Sequence, residues 1–515
     1  MTNHIDRRNF LKKSAIGLTG ALILPAFLNL QAKDAYKTIK NVNSIKEYYD
    51  RFGVTEEMLA KIMNTALSRG GDYCDLFFQH KISNYVILED NKVNRAYSNV
   101  DFGVGIRVLK GDQTGYSFAE EITLDTMLEA AKTASNIANA GKFITPVKIT
   151  EKKLKNIYPI EMPWENISIT DKMPLMTELN EKIFGLDSKI IKAVISCSDD
   201  SNYILAVNSE GTAVCDFQPI GRIAVNCTAE TGGRKETNYA DVAGRKGFEL
   251  FSKKNIDMIA KQAVDKTMIL FDAEKPEAGE MEVVLAAGES GILLHEAIGH
   301  GMEADFNRKN ESIYSDMINK PVAEKFVNII DDALYPDLQG SINTDDECGD
   351  AQKTYLVENG ILTSYMHDKI SSKYYNLSPT GNGRRQSFRH VPLPRMRNTY
   401  MTNGPHTKDE IIQSVKKGIL CETFTNGQVN IGPGDFTFYV KNGYLIEDGK
   451  ITKPIKDINI IGNGPKMLKD ITMAANDFKM AQGGWTCGKN GQSVPVSMGL
   501  PTVKVSKLTV GGKSK

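Results

Sequence analysis

The segment Gly291-Ile292-Leu293-Leu294-His295-Glu296-Ala297-Ile298-Gly299-His300-Gly301-Met302-Glu303 sets two histidines around a glutamate, after an apolar approach and with glycines on either side of the second histidine. Those residue types point to a metal-dependent hydrolase centre, with His295 and His300 as ligands and Glu296 as general base. The spacing is unusual. On a regular α-helix, side chains at i and i+4 differ by about 40° around the axis and can share one ion, whereas at i+5 they differ by about 140°. Convergence therefore requires an extra residue in the helix, as in a π-bulge, or a helix that stops between the histidines. Gly299 is the residue type that permits either. A catalytic zinc takes three protein ligands plus water, so a third must come from elsewhere in the chain.

Composition narrows the classes of function. The chain has 515 residues, enough for two or three domains with separate cores. Its 63 basic residues balance 63 acidic ones, which argues against a general nucleic-acid or anionic-surface binder. Residues 1–32 stand apart. Arg7-Arg8-Asn9-Phe10-Leu11-Lys12-Lys13 precedes an uncharged apolar run from Ala15 to Leu30, the order of an export signal and similar to twin-arginine signals. The expected destination is the periplasm, with cleavage after Ala32. The competing assignment is a retained anchor, which the shortness of the run and Pro25 oppose. Seven cysteines without a Cys-x-x-Cys pair do not form a disulfide framework.

Beyond the signal, residues 33–54 read as a linker, followed by a helix near 55–69 with Met58, Leu59, Ile62, Met63 and Leu67 on one stripe. Short strand runs follow at 74–79, 85–89, 95–98, 103–109 and 114–118, then a helix capped by Thr123. The order returns: a helix at 172–185, runs between 190 and 242, and a helix at 255–270. The fold class is α+β. Residues 33–275 are expected to form an N-terminal α/β region of repeated helix–β-meander–helix units, a candidate substrate-enclosing region. Residues 276–515 form a strand-rich, barrel-like catalytic domain with the motif helix inserted. Asn442-Gly443 and Asp448-Gly449 are expected as hairpin turns. Asp345-Asp346-Glu347 is expected as a solvated turn rather than a cation site. The segment 381–400 carries five arginines, two prolines and no acid, and reads either as an anion clamp or as a surface loop paired with acids elsewhere.

His367, His390, His406 and Cys487 are all candidates for the third ligand. Cys487 lies in Gly483-Gly484-Trp485-Thr486-Cys487-Gly488-Lys489-Asn490-Gly491-Gln492-Ser493, where glycines allow close backbone approach. Taken together, His295-Glu296-x-x-x-His300-Gly301, Gly381-Asn382-Gly383-Arg384-Arg385 through Asn398-Thr399-Tyr400, and Cys487-Gly488-Lys489-x-Gly491-Gln492-Ser493 resemble the TldD/PmbA family of metallopeptidases. The ending Leu508-Thr509-Val510-Gly511-Gly512 fits the same pattern. The resemblance covers nearly all of the chain after the signal and is densest over 285–512. It implies the active TldD-type subunit, one zinc held by His295, His300 and Cys487, and extended or unfolded peptides as substrates, bound by strand addition. It also implies a dimer with a TldE/PmbA-type sister or with a second copy. Two departures stand out: better-known members are cytosolic, and Cys348 occupies a position where glycine is expected.

In that frame Glu296 takes a proton from water and returns it to the leaving amine. Arg389, His390, Arg395 and Tyr400 are the candidate substrate-binding residues. The competing function is a non-catalytic exported peptide-binding or maturation factor with a structural metal site.

Overall fold

In the computed structural model, residues 44–139 and 144–512 are described; the export segment lies outside them. The stretch expected as a linker contains a helix, α1 (Ile45–Phe52), because Tyr48 and Phe52 fall one turn apart and both bury. Helix α2 (Glu56–Leu67) follows, with the Thr55 hydroxyl accepting the Met58 N–H, and it buries Leu59, Ile62, Met63, Ala66 and Leu67.

Three strands come next, β1 (Tyr73–Glu89), β2 (Lys92–Lys110) and β3 (Gln113–Ala119), and then α3 (Leu124–Ser135), whose Thr123–Thr126 capping box satisfies the first turn. The unit then repeats as α4 (Ile169–Leu186), β4 (Ile190–Asn208), β5 (Thr212–Thr231), β6 (Arg234–Gly244) and α5 (Lys253–Met268). The five short runs expected before α3 are in fact three continuous strands. Polar stretches such as His80–Asn84 look like breaks, but β1 is hydrogen-bonded there on both sides, to β2 and to β4. That β1–β4 pairing joins the two meanders back to back in one seven-stranded sheet, in the order β3-β2-β1-β4-β5 with β6 also paired to β5; the two-residue strand Thr150–Glu151, parallel to β5, is the seventh.

The remaining chain builds two more large sheets. Strands β7 (Gly279–Leu285), β11 (Lys417–Asn430), β12 (Asp435–Glu447), β13 (Lys450–Asn463) and β18 (Val503–Gly511) belong to a six-stranded sheet that closes through a β13–β18 pairing, giving the barrel. The sixth strand, β14 (Ile471–Ala474), pairs β18 at its side. Strands β8 (Ile329–Asp332), β9 (Lys353–Glu358), β10 (Asn398–Met401) and β17 (Gln492–Leu500) form the core of the other sheet, with β16 (Trp485–Lys489) folded back on β17; the two-residue strand β15 (Lys479–Met480) lies beside β17. Asp448 and Gly449 have φ of 48° and 74°, and make the expected turn between β12 and β13. Asn442-Gly443 does not turn. It lies inside β12 opposite a stretch of β11 where the register shifts, and glycine is required because a Cβ at 443 would stand 2.1 Å from the Leu420 carbonyl oxygen.

Asp345 and Glu347 are buried, so the expected solvated turn is overturned. Asp345 accepts the backbone N–H groups of Glu347, Gly349 and Gly383, and Glu347 pairs with Arg107 of β2 at 2.7 Å. The arginine segment is likewise internal rather than a surface loop. Arg397 pairs with Asp331 at 2.6 Å, and Arg385 reaches Asp75 of β1 at 3.1 Å. With no carboxylate inside its own segment, this stretch recruits them from β8 and β1, and so cross-links the meander sheet to the sheet that carries β8.

Candidate metal centre

The motif residues leave β7 and enter one turn of α-helix at Ile292–Leu294, then a π-helical turn over His295–Gly299. The His300 N–H donates to the His295 carbonyl, an i+5 bond that inserts the residue needed to bring the two histidines to one face. Their rings lie 5.1 Å apart, nearly perpendicular. Glycine at 299 has an ordinary helical φ of −57°, so conformational freedom does not explain it. Its reason is Met396: a Cβ at 299 would sit 2.0 Å from the buried Met396 sulfur. Gly299→Ala is expected to lower stability by about 1–3 kcal/mol in denaturant unfolding. Adding Met396→Ala should relieve the clash; a double variant no better than the sum of the singles would locate the cost elsewhere.

Cys487 reaches the centre from β16. Its Sγ lies 3.4 Å from His300 Nε2, and one donor atom from each of His295, His300 and Cys487 lies within 4.8 Å of the others. All three side chains are buried. Zinc bonds of 2.0–2.3 Å to nitrogen and sulfur imply ligand separations of roughly 3.3–3.6 Å in a tetrahedron. The Cys487–His300 distance falls in that range. Two imidazoles and a thiolate are also the borderline-soft donors zinc accepts, and the buried His295 Nδ1 has no hydrogen-bond partner among the described residues.

The electrostatics follow from this grouping. Burial alone would push the Cys487 thiol up, but His295 and His300 outweigh it and hold the thiol well below its ordinary value. Burial pushes His300 down, and Glu303 followed by Cys487 reverses that and raises it. Glu296 is raised, chiefly by burial, with the two histidines pulling the other way. Its carboxylate lies 4.0 Å from His300 Nε2, on the ligand side of the ring.

Sequence profiles of the PmbA/TldA metallopeptidase family match three stretches: domain 1 over 74–138, the central domain over 163–271 and the C-terminal domain over 278–512. The chain belongs to the TldD/PmbA family. Among curated relatives, a metalloprotease TldD homolog of Buchnera aphidicola is 36% identical over 486 residues, 92% of this chain and 98% of the relative. Another from Haemophilus influenzae is 36% identical, over 89% and 97% of the two chains. A zinc metalloprotease TldD homolog of Saccharolobus solfataricus is 30% identical, over 88% and 99%. The fold is shared with TldE from Thermococcus kodakarensis, at a TM-score of 0.70 and 16% identity over 88% of this chain and 100% of that one.

In this TldD/PmbA chain the four residues expected to bind substrate each have defined partners. Arg395 is buried and donates to the Cys487 carbonyl at 2.6 Å, bracing the strand that carries this cysteine. Arg389 pairs with Asp101 and Glu120 of the meander region, His390 with the Ser387 hydroxyl, and the Tyr400 hydroxyl donates to Asp332. His367 and His406 are not in the donor cluster.

Sequence reasoning missed Glu303 and Lys489. Glu303 accepts from His300 Nδ1 at 2.9 Å and is itself held by Lys489 Nζ at 3.1 Å, which also contacts Asp305 at 2.7 Å. Burial would raise Glu303, but Lys489 and then His300 hold it at about 2. A carboxylate on the far nitrogen fixes the tautomer that leaves Nε2 free for a metal. The signals were present: Glu303 lies three residues after His300, and Lys489 two after Cys487. Glu303→Gln is expected to weaken metal binding about 10- to 100-fold in chelator competition. Unchanged affinity would remove Glu303 from the orienting role.

Proposed function

We propose that this chain is a zinc-dependent peptidase that cleaves extended or unfolded peptides, with His295, His300 and Cys487 holding the metal and Glu296 as general base. The observation that carries the reading is the convergence of two imidazoles and one thiol beside a half-buried carboxylate. Zinc held by His295, His300 and Cys487 would supply Lewis-acid chemistry to the reaction. The residues do the rest. Glu296, made more basic by burial, accepts the proton of the attacking water and hands it to the leaving amine nitrogen. Glu303 holds the His300 ring, and Arg395 holds the Cys487 backbone. The family membership and the relatives named metalloproteases support the class of reaction. The long antiparallel strands of the meander sheet, with β3 and β6 outermost, support recognition of extended chains by backbone pairing.

The proposal extends to assembly and address. The chain works as the TldD-type half of a pair with a TldE/PmbA-type sister, or as a homodimer, and is exported through its Arg7-Arg8 signal to the periplasm. The likeness to TldE and the order of charged and apolar residues over 1–32 support these readings. The test is cleavage of an unstructured peptide by purified protein of measured metal content, with and without a co-expressed sister. Peptide binding without cleavage at full metal occupancy, in both arms, would instead establish the non-catalytic binding factor. Replacing Arg7-Arg8 by Lys-Lys should trap the chain in the cytoplasmic fraction; unchanged export would rule out the twin-arginine route.

A further inference from the structure

A cavity of about 380 Å³ lies between the meander sheet and the β16–β17 hairpin, within the roughly 300–1,000 Å³ typical of ligand sites. It shares a wall with the metal centre. Thr486, which lines it, precedes Cys487, and Val494, which also lines it, is the cross-strand partner of Cys487. Lys81, Arg222, Arg245, Arg384 and Arg385 reach its surface, against the carboxylates Asp200 and Asp346.

Three of those cations are neutralised locally. Lys81 pairs with Asp200 at 2.9 Å, Arg222 with Asp241 at 2.7 Å and Arg385 with Asp75 at 3.1 Å. The other two make no ion pair among the described residues. Arg384 donates to the Met396 and Pro495 carbonyls, and Asp346 and Asp331 act on it only at longer range. Arg245 is 1% exposed, its Nε has no hydrogen-bond partner, and among the described residues its guanidinium meets only the Tyr158 ring, at 5.3 Å. A buried guanidinium with no acceptor is costly to keep. Burial, and then Arg245 nearby, also lower Arg384 from its ordinary value, as like charges in a low-dielectric site must. Asp346, the one lining acid not committed to a lysine, accepts the Arg385 N–H at 2.7 Å and is raised by burial, which reduces its opposition to a second anion.

We propose that this cavity is an anion subsite, with Arg245 and Arg384 as its anchors, and that it takes a carboxylate of the bound peptide. The ligand's identity as a peptide rests on the peptidase reading; the anion chemistry does not. Placing the subsite against the Cys487 strand makes it a specificity element, holding a chain terminus or an acidic side chain at a fixed remove from the bond to be cut. A free small anion offers the same chemistry, and the test separates the two sources.

The experiment uses the full-length, metal-loaded Glu296→Gln protein, with mass spectrometry to confirm that peptides stay intact. Binding is measured for one unstructured neutral sequence as its C-terminal acid, as its amide, and as an amide carrying one glutamate. At least one carboxylate form should bind about 10- to 100-fold more tightly than the neutral amide. Phosphate should compete, and Arg245→Met should abolish the difference. Because Arg245→Met removes an unpaired buried charge for a similar volume, it should melt at the same temperature or higher. Equal binding of all three peptides with no stabilisation by phosphate overturns the subsite, as does a difference that survives Arg245→Met. Stabilisation by phosphate, lost in Arg245→Met, with no preference among peptides keeps the anion site and overturns its peptide assignment. Cleavage of any peptide by this Glu296→Gln protein would instead count against Glu296 as base and leave the subsite result to stand on its binding data.

Discussion

Glu296→Gln is expected to lower cleavage of an unstructured peptide by roughly 10²- to 10⁴-fold, the usual contribution of a positioned general base, while metal content stays at the parental level. The amide keeps the size of the side chain and cannot take a proton. Glu296 is absent from the donor cluster, and its carboxylate stands 4.0 Å from His300 Nε2, so its loss should leave the three donors in place. Its fall should appear in kcat more than in KM, because the interaction removed acts on the reacting water and not on the bound peptide. Parental cleavage by this variant would end the catalytic assignment. Loss of metal together with activity would show that Glu296 serves the site's architecture instead.

Cys487→Ala should have the larger effect on the centre itself. It removes one of three donors, so metal affinity should fall by more than the roughly 10- to 100-fold expected on disturbing an orienting partner. Activity should go with it. Stability offers a second reading that needs no substrate. A metal that binds only the folded chain stabilises it by about 2.7 kcal/mol at a hundred times its dissociation constant. The parental protein should therefore melt lower with a strong chelator, and Cys487→Ala should melt at one temperature with or without it. A Cys487→Ala protein that holds one equivalent of metal and still responds to chelator would remove the thiol from the site.

Much of the centre could be read from residue types, because metal chemistry needs few of them. Two histidines around a glutamate, at a spacing that no regular helix tolerates, required a widened or broken helix, and the i+5 bond from His300 to His295 is that widening. The cause assigned to Gly299 was different, since the packing of Met396 against it comes from a segment almost a hundred residues later. The same blindness to distant partners hid Glu303 and Lys489. Each sits inside a quoted motif, yet their ion pair exists only once β16 lies beside the motif turn. Helices α2 to α5 were legible from their stripes and caps, whereas α1 was hidden in a stretch read as linker. Strands were cut too short, because polar residues such as His80–Asn84 signal a break only where pairing ends, and here it continues on both sides. Asp345 and Glu347 looked solvated because nothing local marks Arg107 or the backbone donors that enclose them.

The separation of Cys487 from His300 by 187 positions has a bearing on how the protein is made. Synthesis runs from the amino terminus, so both histidines leave the ribosome long before their third donor. The strand that seals the barrel, β18, comes later still and pairs with β7, the strand that leads into the histidines. On the zinc reading proposed above, a chain that stops short of Cys487 would have no complete centre to load, so occupancy would report that synthesis had passed that residue.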